Sequence, residues 1–160
     1  MGDIILKIIE LEGPLHQEEI ARRVASAFGK AKAGRRIVDF TFGALRALPR
    51  RKDSVISEQD EFWATSAQWA APRIRDRSEE NGATLAARML PPQEIAAAAA
   101  LIEKECGATS SDEMVKAVAN LLGFRRVGPD LRQVIERVVH DTESVSAEAS
   151  GKNEPTSLAG

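Results

Sequence analysis

Residues 22–52, RRVASAFGKAKAGRRIVDFTFGALRALPRRK, carry ten Lys or Arg against one acid, Asp39. The cations are Arg22, Arg23, Lys30, Lys32, Arg35, Arg36, Arg46, Arg50, Arg51 and Lys52. Their balance is +9 in a chain of 160 residues whose net charge is −2. Cations at this density suit phosphates. Each neutralised phosphate releases counterions, so about six to ten contacts supply salt-sensitive, micromolar-class binding without any reading of bases. Lys30, Lys32, Arg35, Arg36, Arg46, Arg50, Arg51 and Lys52 are the expected contact set, with Arg22 and Arg23 contributing less from a helix rim. The same face is also suited to docking on an acidic partner or a neighbouring domain.

Other reactive side chains are few. His16 stands before a helical segment and reads as a residue that caps or packs against Gln17–Glu19, since no nucleophile or carboxylate constellation surrounds it. His140 falls near the end of a helix, where the dipole favours a cation. Cys106 is the single cysteine, which excludes an internal disulfide, and it reads as a small buried or half-buried filler. Two histidines and one thiol far apart in sequence make no recognisable zinc site. No cofactor and no catalysis are expected. With seven aromatic residues and no Tyr, a surface of stacked aromatic platforms is not expected.

The elements around the basic stretch follow from periodicity. Residues 4–12 place Ile4, Ile5, Ile8, Ile9 and Leu11 on one apolar face, and Gly13-Pro14 stops that helix. A second helix is predicted from about Gln17 to Phe28, with Glu18 and Glu19 in its first turn and Gly29 at its end. A third begins near Arg35 and buries Ile37, Val38, Phe40, Thr41, Ala44, Leu45 and Leu48, with Arg35, Arg36, Asp39, Gly43, Arg46 and Arg50 opposite. SVIS (54–57) and EFWA (61–64) then read as two short strands, with Trp63 and Trp69 as packing residues. Three helices followed by a hairpin is the order of a winged helix, in which helices two and three form the helix-turn-helix. Helix three offers no Asn or Gln for adenine, so base recognition would fall to arginine at guanine.

Residues 71–90 form a connector in which RIRDR (73–77) reads as ion-paired, because Asp76 stands between two arginines. Residues 91–143 read as three helices. Pro91-Pro92 opens the first, a Ser110/Glu113 capping box opens the second, and PDLRQVIERVVHD forms the third. Arg125 and Arg126 read as a solvated helix end. The tail, 144–160, is almost free of apolar residues and is expected to be disordered. The expected architecture is thus mainly α with a small β-hairpin: a winged helix-turn-helix over 1–70, the connector, a three-helix subdomain and the tail. No internal repeat is visible. The apolar run at the N-terminus is too short and too charged for a signal peptide or a membrane span, which points to a cytoplasmic protein.

Several phrases, in order, carry a resemblance: EGPLHQEEIARRVASAFGKAKAGRRI (12–37), RIRDRS (73–78), PPQEIAAA (91–98) and DEMVKAVANLLGFRRVGPDLRQVI (112–135). Over about residues 4–140 the chain resembles a bacterial domain of unknown function. That domain usually closes very large proteins pairing a superfamily-I helicase core with a nuclease-like domain of the very-short-patch-repair type. Neither the motor's P-loop nor a nuclease carboxylate cluster is present in this sequence. The resemblance implies either a free-standing version or a piece of a larger parent, working in DNA processing or defence. Two functions are therefore expected in competition. One is a non-catalytic module binding nucleic acid, duplex DNA first. The other is a protein-interaction or oligomerisation module docking on a helicase- or nuclease-like partner.

Overall fold

The computed structural model describes residues 2–48, 56–80 and 86–150. The expected contacts Arg50, Arg51 and Lys52, and the start of the first hairpin strand at Ser54 and Val55, lie outside them. The described residues form a mainly helical protein with one small three-stranded antiparallel sheet. Its apolar residues gather into two separate cores, one on each side of the connector.

The first core is built by α1 (Gly2–Glu12), α2 (Gln17–Ala27) and α3 (Arg35–Ala47), closed by the sheet. Ile5 and Ile9 of α1, Ile20 and Val24 of α2, and Leu45 of α3 are fully buried there. Leu11 departs from the predicted face and is 63% exposed. It follows Ile9 by two residues, about 200° around the helix, and so points away from the core. Phe40 likewise lies outside the buried side expected for it and is 45% exposed, beside Phe28 at the end of α2.

The hairpin is β2 (Ile56–Gln59) and β3 (Phe62–Thr65), paired in register from Ile56↔Thr65 to Gln59↔Phe62. Asp60 and Glu61 join them, both at positive φ (49° and 69°), as a two-residue hairpin turn requires. A third strand, β1 (Leu15–His16), pairs antiparallel with β3 and gives the order β1-β3-β2, so the sheet is one strand larger than the expected hairpin. A short helix, α4 (Ser66–Ala70), follows behind a Thr65/Gln68 capping box. The Gln68 amide also donates to the carbonyls of Ile9 and Glu10, capping the open end of α1.

The second core is built by α5 (Pro92–Cys106), α6 (Ser111–Leu121) and α7 (Pro129–Ser150), with a 3-10 turn at Ala87–Met89. The predicted Ser110/Glu113 capping box is present in both directions. Helix α7 continues to Ser150, past the expected start of the tail at Ser144, and His140 therefore sits inside the helix rather than at its end. His140 is exposed, and so is Cys106, which ends α5 on the surface and fills no core. No helix among the described residues is long and apolar enough to cross a membrane.

The connector joins the two cores through charge. Arg75 and Arg77 both bind Glu94, whose side chain is 1% exposed. Arg77 spans its carboxylate with two bonds of 2.8 and 2.6 Å. Arg75 adds Nη2 to Glu94 Oε2 at 2.8 Å, then reaches the carbonyls of Glu12 and Pro14 at 2.7 and 2.8 Å. One carboxylate on α5 thus fixes the loop after α1, as the ion-paired reading of RIRDR expected, although the essential acid is Glu94 rather than Asp76. Asp76 instead accepts from the backbone N–H of Ser78.

Candidate nucleic-acid interface

The turn between α2 and α3 is set by two glycines. At the end of α2, Gly29 adopts φ 67°, which only glycine takes without steric cost. The N–H of Gly29 then bonds Ser26 and that of Lys30 bonds Ala25, at 2.8 and 2.9 Å. These bonds satisfy the last carbonyls of α2 and fix where Lys30 leaves the helix. Gly34 is the extended N-cap of α3, and its carbonyl accepts from Val38. Lys30 and Lys32 sit exposed on this turn, and Arg35, Arg36 and Arg46 sit exposed on α3.

Only one of these five cations has an ionic partner among the described residues. Arg35 lies 3.7 Å from Asp39, one turn further on, with both side chains largely in water. Lys30, Lys32, Arg36 and Arg46 have none among the described residues, so the five cations and Asp39 leave a local charge of +4 on the exposed residues of the turn and α3. Arg22 and Arg23 line the same hollow as Lys30 and Lys32, together with Glu18, but are paired with acids. Arg23 is 2.8 Å from Glu12 and 3.1 Å from the buried Glu19, and Arg22 is 3.8 Å from Glu19. Burial raises the Glu19 carboxyl above its ordinary range, with Arg23 pulling the other way.

Two hollows flank the cations. A cleft of about 790 Å³ runs beneath the turn, with Arg22, Ser26, Lys30 and Lys32 on its walls and Val38, Phe42 and Met89 as apolar lining. A groove of about 250 Å³ lies between α2 and α3, lined by Val24, Phe28, Ile37 and Phe40 and edged by Arg36.

The hairpin contributes no positive charge at its tip. Glu58, Asp60 and Glu61 are all exposed there, which repels phosphate. The tip also turns back on the protein. Gln17 donates to Glu61, and Gln59 accepts from Gln93 of α5 at 3.0 Å. His16, buried behind it, caps α2 by accepting the Glu18 N–H at Nδ1, and its Nε2 lies 3.5 Å from Glu61. Burial lowers the His16 imidazole below its ordinary value, against the opposing charges of Glu18 and Glu61. Trp63 is buried in the first core, as expected, whereas Trp69 is half-buried and donates to Ser57.

Sequence reasoning missed the role of Glu94, because a glutamate in the first turn of a helix ordinarily faces water and its partners stand 17 and 19 residues earlier. Its only signal was the density of arginine in RIRDR. Among the described residues no group of three or more His, Cys, Asp or Glu could hold a metal ion.

A family model described as "Protein of unknown function (DUF3320)" matches residues 1–39. The match takes in α1, β1, α2, the whole turn and the beginning of α3, with Lys30, Lys32, Arg35 and Arg36 inside it. No curated protein and no solved structure gives a significant match.

Proposed function

We propose that the chain is a non-catalytic nucleic-acid-binding module of winged helix-turn-helix type, contacting duplex DNA through the α2–α3 turn and the outer face of α3. The observation that carries this reading is the set of four exposed cations without an ionic partner among the described residues, Lys30, Lys32, Arg36 and Arg46, on that turn and helix. The element order α1-β1-α2-α3-β2-β3, with β1 closing the sheet, supports the winged form. The acidic hairpin tip directs the reading away from the wing and towards α3. The resemblance to the C-terminal domain of large helicase- and nuclease-like proteins, together with the match over residues 1–39, supports an accessory role in cytoplasmic DNA processing or defence.

A second reading draws on Phe28 and Phe40, exposed by 46% and 45% around the small groove. Such a pair suits a helicase- or nuclease-like protein partner docking on the same face. Fluorescence anisotropy of a labelled duplex, titrated with the full chain at rising salt, separates the two. DNA binding predicts micromolar-class affinity near ~50 mM salt that weakens steeply as salt rises. Absence of binding at that salt excludes the DNA reading.

A further inference from the structure

The helix spacing and caps of the first core recur in the second. Adding 94 to each residue number carries α2, Gln17–Ala27, onto α6, Ser111–Leu121. The same shift carries the end of α1 at Glu12 onto the end of α5 at Cys106, and the start of α3 at Arg35 onto the start of α7 at Pro129. The caps correspond as well. His16 and Ser110 are N-caps whose side chains accept a backbone N–H. Gly29 and Gly123 both take positive φ, 67° and 88°. Each is followed by the same closing bond, Lys30 N–H to Ala25 and Phe124 N–H to Ala119, both at 2.9 Å. Gly34 and Gly128 each accept from the fourth residue beyond, at 3.1 and 3.0 Å. The buried positions Ile20, Val24, Ala25 and Thr41 fall on Met114, Val118, Ala119 and Ile135, also buried. Residues 92–150 thus repeat the helix order, caps and α2–α3 turn bonds of residues 2–47.

The two halves present different chemistry. In the second, Lys116, Asp112, Arg132 and Glu136 form a chain of ion pairs that neutralises itself. Arg125 and Arg126 remain exposed in the turn, with no ionic partner among the described residues. Gln133 and Arg137 lie one turn apart on the exposed side of α7, where the first half has Asp39 and Gly43. A helical Gln and Arg one turn apart are the side chains that pair with adenine and guanine edges in a major groove. Asp130, exposed in the first turn of α7, disfavours phosphate there but accepts from a cytosine amine. The α3 face is the reverse, rich in phosphate-binding cations and without an amide.

We infer that α7 is a second recognition helix, which reads bases through Gln133 and Arg137 while Arg125 and Arg126 hold the flanking phosphates. This rests on the reading of α2 and α3 as a duplex-binding unit. The test selects duplexes from a randomised pool with the full chain. The preferred and a scrambled duplex are then compared by anisotropy for the natural chain and for Gln133→Ala with Arg137→Ala. Both side chains are on the surface, and circular dichroism checks that the fold persists. The expected result is a ratio of affinities, preferred over scrambled duplex, of about tenfold or more for the natural chain and near one for the double variant. A chain that binds duplex without preference, or a preference that survives in the variant, overturns the inference. A chain that binds no duplex overturns the α2–α3 reading and this one with it.

Discussion

Arg77 Nη2 lies 2.6 Å from Glu94 Oε2, and neither side chain is more than 2% exposed. Arg75, on the same carboxylate, links it to the Glu12 and Pro14 carbonyls after α1, alongside the Gln93–Gln59 and Arg88–Glu18 contacts between the two parts. Glu94→Ala would leave two arginines facing a vacated site, one of them fully buried. Breaking a buried pair from one side costs about 3–5 kcal/mol. Urea denaturation should therefore show a loss of that order. A loss below about 1 kcal/mol would show that water replaces the carboxylate at no consequence.

Acid should weaken the fold in two stages. Burial lowers the His16 imidazole below its ordinary 6.5, so the unfolded chain takes up this proton first. That contribution is present above pH 6.5 and is lost as pH falls through the lower folded value. Burial would raise Glu94, but Arg77 and Arg75 overcome it and hold the carboxyl below its ordinary 4.5. Its contribution is present above pH 4.5 and is lost as pH falls through the folded value. Glu19, raised by burial, acts in the opposite direction. His16→Asn keeps a capping side chain and removes the imidazole. Its stability should fall less than that of the natural chain between about pH 7 and pH 5, and equal slopes would rule out the histidine as the source.

Gly29 and Gly123 test the difference between backbone cost and packing cost. Both have positive φ, yet a methyl at Gly29 would meet open space. At Gly123 it would run into the connector, 2.7 Å from the backbone nitrogen of Arg77 and closer still to Asp76 and Ser78. Gly29→Ala should cost about 1–2 kcal/mol, the left-handed penalty alone. Gly123→Ala should cost a further 1–3 kcal/mol or so for overpacking. Thermal unfolding of the two variants measures the gap, and equal losses would mean that the connector yields freely.

What the sequence disclosed was local. The ends of α2, the Ser110/Glu113 box and the cap at His16 are written in neighbouring residues, and each is where the pattern put it. The third strand was not legible, because β1 is two residues long and exists only through its pairing with β3. The hairpin turn carries no glycine, although Asp60 and Glu61 both take positive φ. Phe40 looked apolar enough for the core, but its place on α3 turns it towards Phe28 and solvent. The correspondence stayed hidden because the two halves share few side chains beyond Glu19/Glu113, Val24/Val118, Ala25/Ala119 and the glycines. Ile20 answers to Met114 and Thr41 to Ile135, and the outer faces of α3 and α7 carry different charges, with Arg36 answering to Asp130 and Asp39 to Gln133.

The salt dependence of duplex binding reports how many phosphates the α2–α3 face neutralises. For duplex DNA, log affinity falls against log salt with a slope of about −0.9 for each phosphate neutralised. Lys32→Ala with Arg36→Ala removes two exposed cations with no ionic partner among the described residues and touches neither core. The slope should become shallower by about two units while the protein remains folded. A slope identical to that of the natural chain would contradict the assignment of the α2–α3 face to phosphate.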